Sequence, residues 1–184
     1  MPTTVTLDGQ HDTRQLRHAL GRFPTGVTVI TACSPEGRLE GLTANSFSAL
    51  SLEPPLVLWS LNSISPSLPG FLAAGHFAIH VLDASQTGLS HRFATSGRNK
   101  YDGLSFERGL GGAPILGGAL ATFECTTETT IEGGDHRLFV GRIGRITWRD
   151  GEPLIFNAGR YCTARAMPGE GAQHDLNSIW AGLG

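Results

Sequence analysis

Lysine occurs once in these 184 residues, as Lys100, and cysteine only three times, as Cys33, Cys125 and Cys162. Lysine and arginine together number 14 against 16 acidic residues, scattered along the chain, for a net charge of −2. With no basic stripe to neutralise a run of phosphates, a nucleic-acid partner is not expected. The cysteines are odd in number, far apart and never in a C-x-x-C arrangement. A disulfide framework and a zinc site are therefore both poor readings, and reduced thiols in a cytoplasmic protein are expected. Of the seven histidines, His76 and His80 have i, i+4 spacing. They lie in His76-Phe77-Ala78-Ile79-His80-Val81-Leu82, which reads as a strand, so no metal pair is expected. No apolar run is long enough to span a membrane, and the first residues lack the charged-then-apolar pattern of a secretion signal. G-x-G-x-x-G between strand and helix, the P-loop and G-x-S-x-G are all missing. The chain thus offers no standard phosphate cradle and no obvious nucleophile.

What is present is a 40% hydrophobic, 16% charged sequence of a length suited to one domain, which buries roughly two thirds of its unfolded surface. Residues 1–11 read as a frayed polar tail. An amphipathic helix follows, with Leu16, Ala19, Leu20 and Phe23 at i, i+3, i+4 and i+7, a cap at Asp12 or Thr13 and a stop at Pro24. Val27 to Ala32 is a β-branched strand, and Leu56 to Leu61 a second apolar one. Ser67 to Ala74 reads as a short helix ended by Gly75. Phe77 to Leu82 is a strand and Ser85 to Phe93 a helix, followed by a Gly-rich loop from Gly109 to Gly118. Ala121 to Glu132 alternates, with Ala121, Phe123, Cys125 and Thr127 on one face. His136 to Trp148 carries apolar residues on both parities, so both of its faces are expected to be covered, as in a closed or nearly closed barrel. Leu154 to Phe156 reads as the last strand. The fold class is mainly β, an antiparallel barrel with a few covering helices in a single domain spanning 12–167. The tail 168–184 could dock one turn, with Leu176, Ile179, Trp180 and Leu183, on a partner chain.

Five segments carry candidate chemistry. Gly41 to Ser51 holds five short hydroxyl or amide side chains, at Thr43, Asn45, Ser46, Ser48 and Ser51, between apolar strands. So small and polar a segment lets a planar ligand press against backbone, where N–H and C=O groups read a ring edge; by itself it reads equally as a surface loop. Ser60, Asn62, Ser65 and Ser67 follow a strand and enter a helix, which suits a phosphate seat or simple N-capping. Arg92, Phe93 and Lys100 supply two cations beside an aromatic ring; alone, the cations would be solvated helix-end charges. Gly134-Asp135-His136 is a turn at a hairpin mouth, and Gly159-Arg160-Tyr161 a loop with an exposed cation.

In this order and spacing the segments resemble the flavin reductase family with the FMN-binding split-barrel fold, the reductase components of two-component flavin-dependent monooxygenases. The resemblance runs from about Leu16 to Ala164. It includes Phe23-Pro24-Thr25-Gly26-Val27, Thr43-Ala44-Asn45-Ser46-Phe47 with Pro54-Pro55, and Leu89-Ser90-His91-Arg92-Phe93-Ala94, and is completed by the Asp135-His136 turn and the Gly159 loop. It implies an antiparallel split β-barrel and hydride transfer from NADH (or NADPH) to FMN (or FAD), with reduced flavin passed to a separate oxygenase. It places Thr43, Ala44, Asn45 and Ser46 at the flavin ring and Ser60, Asn62, Ser65 and Ser67 at its ribityl chain and phosphate, with Arg92, Phe93 and Lys100 closing the other side. His136 would lie near the nicotinamide as the catalytic positioning residue, bordered by Gly159, Arg160 and Tyr161. A homodimer with flavin near the subunit interface is implied as well. The competing expectation is a flavin-binding electron-transfer or storage protein without fast NADH turnover.

Overall fold

The computed structural model of the chain describes residues 4, 6, 12–97 and 99–165. In chain order the elements are α1 (Thr13–Leu20), β1 (Thr25–Gly26), β2 (Thr28–Cys33), β3 (Leu39–Ala44), β4 (Ser48–Ser51), β5 (Leu56–Asn62), α2 (Leu68–Ala74), β6 (His76–Val81), α3 (Thr87–Ala94), β7 (Phe106–Arg108), β8 (Pro114–Leu116), β9 (Ala121–Gly133), β10 (His136–Trp148), β11 (Leu154–Asn157) and β12 (Arg160–Thr163). The tail expected over 168–184, with its turn around Trp180, lies outside the described residues, as does all of 1–11 except residues 4 and 6.

Seven strands form one sheet in the order β3-β2-β6-β9-β10-β5-β4, every pairing antiparallel. β3 and β4 are consecutive in the chain yet stand at opposite ends of that order. The sheet must therefore curl until its edges are bridged by Asn45-Ser46-Phe47, but no ladder joins β3 to β4. That seam is the split in the barrel. A separate sheet, β1-β11-β12, lies alongside.

β2 explains how the interior is arranged. All of its residues but Cys33 are buried, because its two faces serve two cores. Ile30 and Ala32 point into the barrel, with Trp59, Phe71, Phe77 and Phe139. Val29, with Val27 just ahead of the strand, points outward against Phe93 of α3, Leu116 of β8 and Leu154 of β11. In the barrel, Trp59 stacks on its cross-strand partner Phe139 with centroids 4.4 Å apart; such pairs contribute roughly 0.5–1.5 kcal/mol beyond the area they bury.

Several expectations need correction. The polar Gly41–Ser51 segment is mostly strand, β3 and β4, with only Asn45 to Phe47 outside. The Gly-rich stretch is edged by the short β7–β8 hairpin, and the helix expected from Ser85 begins at Thr87, after a 3-10 turn capped by Asp83. Leu154 to Phe156 is not the last strand, because the chain reverses at Ala158 and Gly159 into β12. On β9 the parity opposite to the expected face is buried too, through Thr122 and Glu124. The long β9–β10 hairpin is covered on both faces only near Phe139 and Val140; farther on, Ile146 is exposed and Trp148 is 72% exposed. α1 is capped by Asp12, whose carboxylate accepts from Arg14 N–H at 2.8 Å, and ends at Gly21 rather than Pro24. No residue of α1 is buried.

Candidate active site

The seam between β3 and β4 is held by one side chain. Ser46 Oγ donates to Ser60 O at 3.1 Å and accepts from Ser60 N–H at 3.0 Å, stapling the bend onto β5. Among the described residues, the N–H groups of Asn45, Ser46 and Phe47 donate to no backbone carbonyl. Three adjacent main-chain donors without ladder partners fit the edge of a planar heterocycle rich in carbonyl and ring-nitrogen acceptors. Ala44 is buried and its carbonyl is taken by Thr28 Oγ1 at 2.8 Å, so it shapes the floor.

Thr43 opens a second connection. Its Oγ1 donates to Ser90 O at 2.6 Å, and Ser90 Oγ shares a 2.7 Å hydrogen bond with Tyr161 Oη. Tyr161 is set edge-on to His91 and packs on Phe156. One chain of contacts therefore runs from β3 through α3 to β12, joining the flavin-side segment expected at Thr43 to the nicotinamide-side segment expected at Tyr161. The turn before Tyr161 has Ala158 and Gly159 at φ 47° and 81°, the left-handed geometry of a two-residue hairpin loop.

A third region is a cavity of about 440 Å³ where Lys100, Ser67 and Arg38 converge. Lys100 Nζ donates to Gly41 O at 2.9 Å and to Phe93 O at 3.0 Å, and burial holds its pKa below the ordinary lysine range. Gly41 is required here, since a Cβ would stand 2.7 Å from Phe93 Cδ1 and 2.8 Å from Tyr101 Oη. Arg38 pairs with the buried Glu40 and donates to Pro66 O at 3.4 Å. Ser65 Oγ accepts from Ser67 N–H at 3.4 Å, whereas Ser67, at the N-cap of α2, makes no capping bond through its side chain. Two residues take other places than the sequence reading gave them. Phe93 is 1% exposed in the outer core, so it supports Lys100 and Gly41 from beneath and presents no ring face. Arg92 is exposed and donates to Asp102 O at 3.2 Å.

His136 begins β10 directly opposite Asn62 on β5. Its Nδ1 is 2.7 Å from Asp135 Oδ1, and that bond draws the Asp135 carboxyl below the ordinary range. Asp135 O in turn accepts from Ser63 N–H at 2.8 Å, while Asn62 Oδ1 accepts from Ile64 N–H at 3.0 Å. The hairpin turn and the Asn62–Ser65 turn are thus tied together. Among the described residues no hydrogen bond or ring contact links His136 to Gly159, Arg160 or Tyr161, so the two nicotinamide-side segments are not brought into contact within the chain. A fourth region, a cleft of about 760 Å³, contains Asn45 and Gly159 together with α1.

Sequence reasoning missed Arg38, which carries no local signal because a β-hairpin and α2 deliver it to Lys100. It also missed the cations of α1, although Arg14, Arg17 and His18 have helical i, i+3, i+4 spacing.

A model of the flavin reductase like domain family matches residues 20–165. The chain is 48% identical over 157 residues to FMN reductase (NADH) SmoA of Agrobacterium fabrum, covering 85% of this chain and 89% of that one. It superimposes on the Streptomyces globisporus NADH:FAD oxidoreductase SgcE6, solved with NAD and FAD fragments, with a TM-score of 0.78 at 37% identity, covering 86% and 95% of the two chains. Nitrilotriacetate monooxygenase component B from Mycobacterium thermoresistibile gives a TM-score of 0.82 at 35% identity, with 89% and 92% covered. The chain spans only 57, 50 and 51% of three other curated relatives.

Proposed function

The chain belongs to the flavin reductase like domain family, and from that membership we propose an NADH-dependent flavin reductase that supplies reduced FMN or FAD to a separate monooxygenase. Flavin is the hydride acceptor and supplies the redox chemistry, so the protein need provide neither nucleophile nor metal. The chain's own work is to hold two flat rings in register and to stabilise developing charge.

The observation that carries the reading is the Thr43–Ser90–Tyr161 connection, which fixes the ring-edge strand and the Gly159 turn in one hydrogen-bonded unit. A protein that only stored flavin would gain nothing from tying those segments together. On this reading the free N–H groups of Asn45, Ser46 and Phe47 read the ring edge, over a floor made by Thr43 and Ala44. Ser60, Asn62 and Ser65 follow the sugar chain, and Ser67 and Lys100, with Arg38, neutralise the phosphate. Arg92, at the rim, adds long-range attraction. With Nδ1–H donated to Asp135, the neutral His136 ring keeps Nε2 as an acceptor, the complement of a carboxamide N–H. His136 then positions the nicotinamide and donates no proton, and Gly159, Arg160 and Tyr161 border the pyridine nucleotide. Because His136 stands apart from Tyr161 within one chain, and Trp148 and Ile146 leave an apolar face open, two copies are proposed to associate, in a cytoplasmic homodimer. No helix among the described residues is long and apolar enough to cross a membrane.

Mixing the purified protein with FMN and NADH and following nicotinamide absorbance tests the activity. Turnover that requires added flavin is expected, and its absence with saturating FMN and FAD rejects the proposal. Light scattering on the eluting protein tests the dimer.

A further inference from the structure

We propose that the cleft between α1 and the β11–β12 turn receives the adenosine diphosphate half of a dinucleotide substrate. This rests on the reductase reading and adds a site to it. The cleft, about 760 Å³, has the volume of a nucleotide-sized site. It contains Asn45 from the seam and Gly159 from the turn, so it opens beside the segments assigned to both reacting rings. A dinucleotide anchored by its ring there has its second half over this surface.

The lining has both chemistries an adenylate needs. Arg14, Arg17 and His18 line the cleft and fall with Gly21 at i, i+3, i+4 and i+7, one stripe of α1. They offer cations to a diphosphate, Arg in the planar fork that suits it. Leu20 and Phe23 line the same cleft at 64% and 77% exposure, and Phe156 faces them from β11. These are apolar surfaces that a flat purine covers. Thr25 Oγ1, also at the cleft, is buried and has no hydrogen-bond partner among the described residues, a hydroxyl suited to a ribose or phosphate oxygen.

The helix is also held in place for this. It buries nothing of its own, yet Ala158 N–H donates to Gly21 O at 3.1 Å. Ala158 is the one non-glycine residue at positive φ among those described. Left-handed alanine is strained, and such strain persists where the surroundings impose it, as at ligand clamps. Here it fixes the distance between the cationic stripe and Gly159.

The test is the double variant Arg14→Ala/Arg17→Ala, whose substituted side chains are exposed. Michaelis constants are measured for FAD against FMN, and for NADH against reduced nicotinamide mononucleotide. Loss of charge-assisted contacts should raise the constant for an adenylate-bearing substrate roughly ten- to a hundredfold, leaving its adenylate-free counterpart unchanged. A rise confined to FAD assigns the cleft to flavin's adenylate; one confined to NADH assigns it to the nucleotide's. Equal shifts for all four, or none, overturn the proposal. Calorimetry with ADP reads the cleft without turnover, and Phe23→Ala serves as a second variant. Wild type that fails to bind ADP overturns the proposal even if reductase activity is intact. ADP binding that survives in wild type but not in the variants, in a protein without reductase activity, upholds the cleft and rejects only the reductase reading.

Discussion

Acidification should weaken the fold through His80. That side chain is fully buried on β6, with Nδ1 3.0 Å from Val29 O and Nε2 accepting from Leu116 N–H at 3.0 Å. Both ring nitrogens are satisfied only if the imidazole is neutral, with its proton on Nδ1. Desolvation accordingly lowers its pKa from 6.5 to about 4, against the opposing pull of the Val29 carbonyl and the Glu124 charge. The sign follows from proton uptake. Below pH 6.5 the unfolded chain binds a proton that the folded chain refuses until about pH 4, so this contribution is complete above 6.5 and is lost as pH falls. Between about pH 8 and about pH 5 the loss should be about 2 kcal/mol. Urea denaturation followed by tryptophan fluorescence at both pH values measures it, read as a drop in midpoint at constant slope. His80→Gln should be less stable at high pH but should lack this pH-dependent loss. A wild-type profile flat over that interval, or a His80→Gln profile as steep as wild type, refutes the reasoning. The effect reaches the site, because Val29 is the cross-strand partner of Thr43.

His136→Ala should slow flavin reduction roughly ten- to a hundredfold, the loss of one orienting contact, with flavin affinity nearly intact; stopped-flow reduction checks it, and an unchanged rate returns His136 to an incidental strand residue. Lys100→Met should weaken FMN roughly ten- to a hundredfold and riboflavin much less, by fluorescence titration, since only FMN carries the phosphate. Equal losses for both ligands would assign Lys100 to holding the Gly41 and Phe93 carbonyls alone. Gly41→Ala forces a methyl group against Phe93 and Tyr101 and should cost about 1–3 kcal/mol of stability, measured by denaturation; a neutral result would mean that the outer core yields at that point.

Where alternation was strong, the strands were legible: β2, β5, β6, β9 and β10 stand within a residue or so of their expected limits, because β-branched and aromatic runs at period two report burial directly. The Gly41–Ser51 segment was misjudged for the converse reason. Its hydroxyls mimic loop composition, yet Thr43 and Ser46 spend theirs on Ser90 and Ser60, partners 47 and 14 residues away, which no local pattern reveals. The apolar stripe of α1 was read correctly as amphipathic, but period alone does not say what a face meets, and the cationic stripe beside it went unread. Lys100 drew notice as the only lysine, while Arg38 enters the same cavity by topology.

The single hydroxyl closing the seam sets how the molecule exchanges its cargo. In a barrel closed all round by ladder bonds, admitting a ring would require strands to part, an opening on the scale of local unfolding. Here β3 and β4 already stand apart, and releasing Ser46 from Ser60 takes a rotamer change, a motion of picoseconds to nanoseconds. Entry and exit then need no rearrangement of the sheet, as suits a protein whose product must leave at every turnover and still be carried away whole.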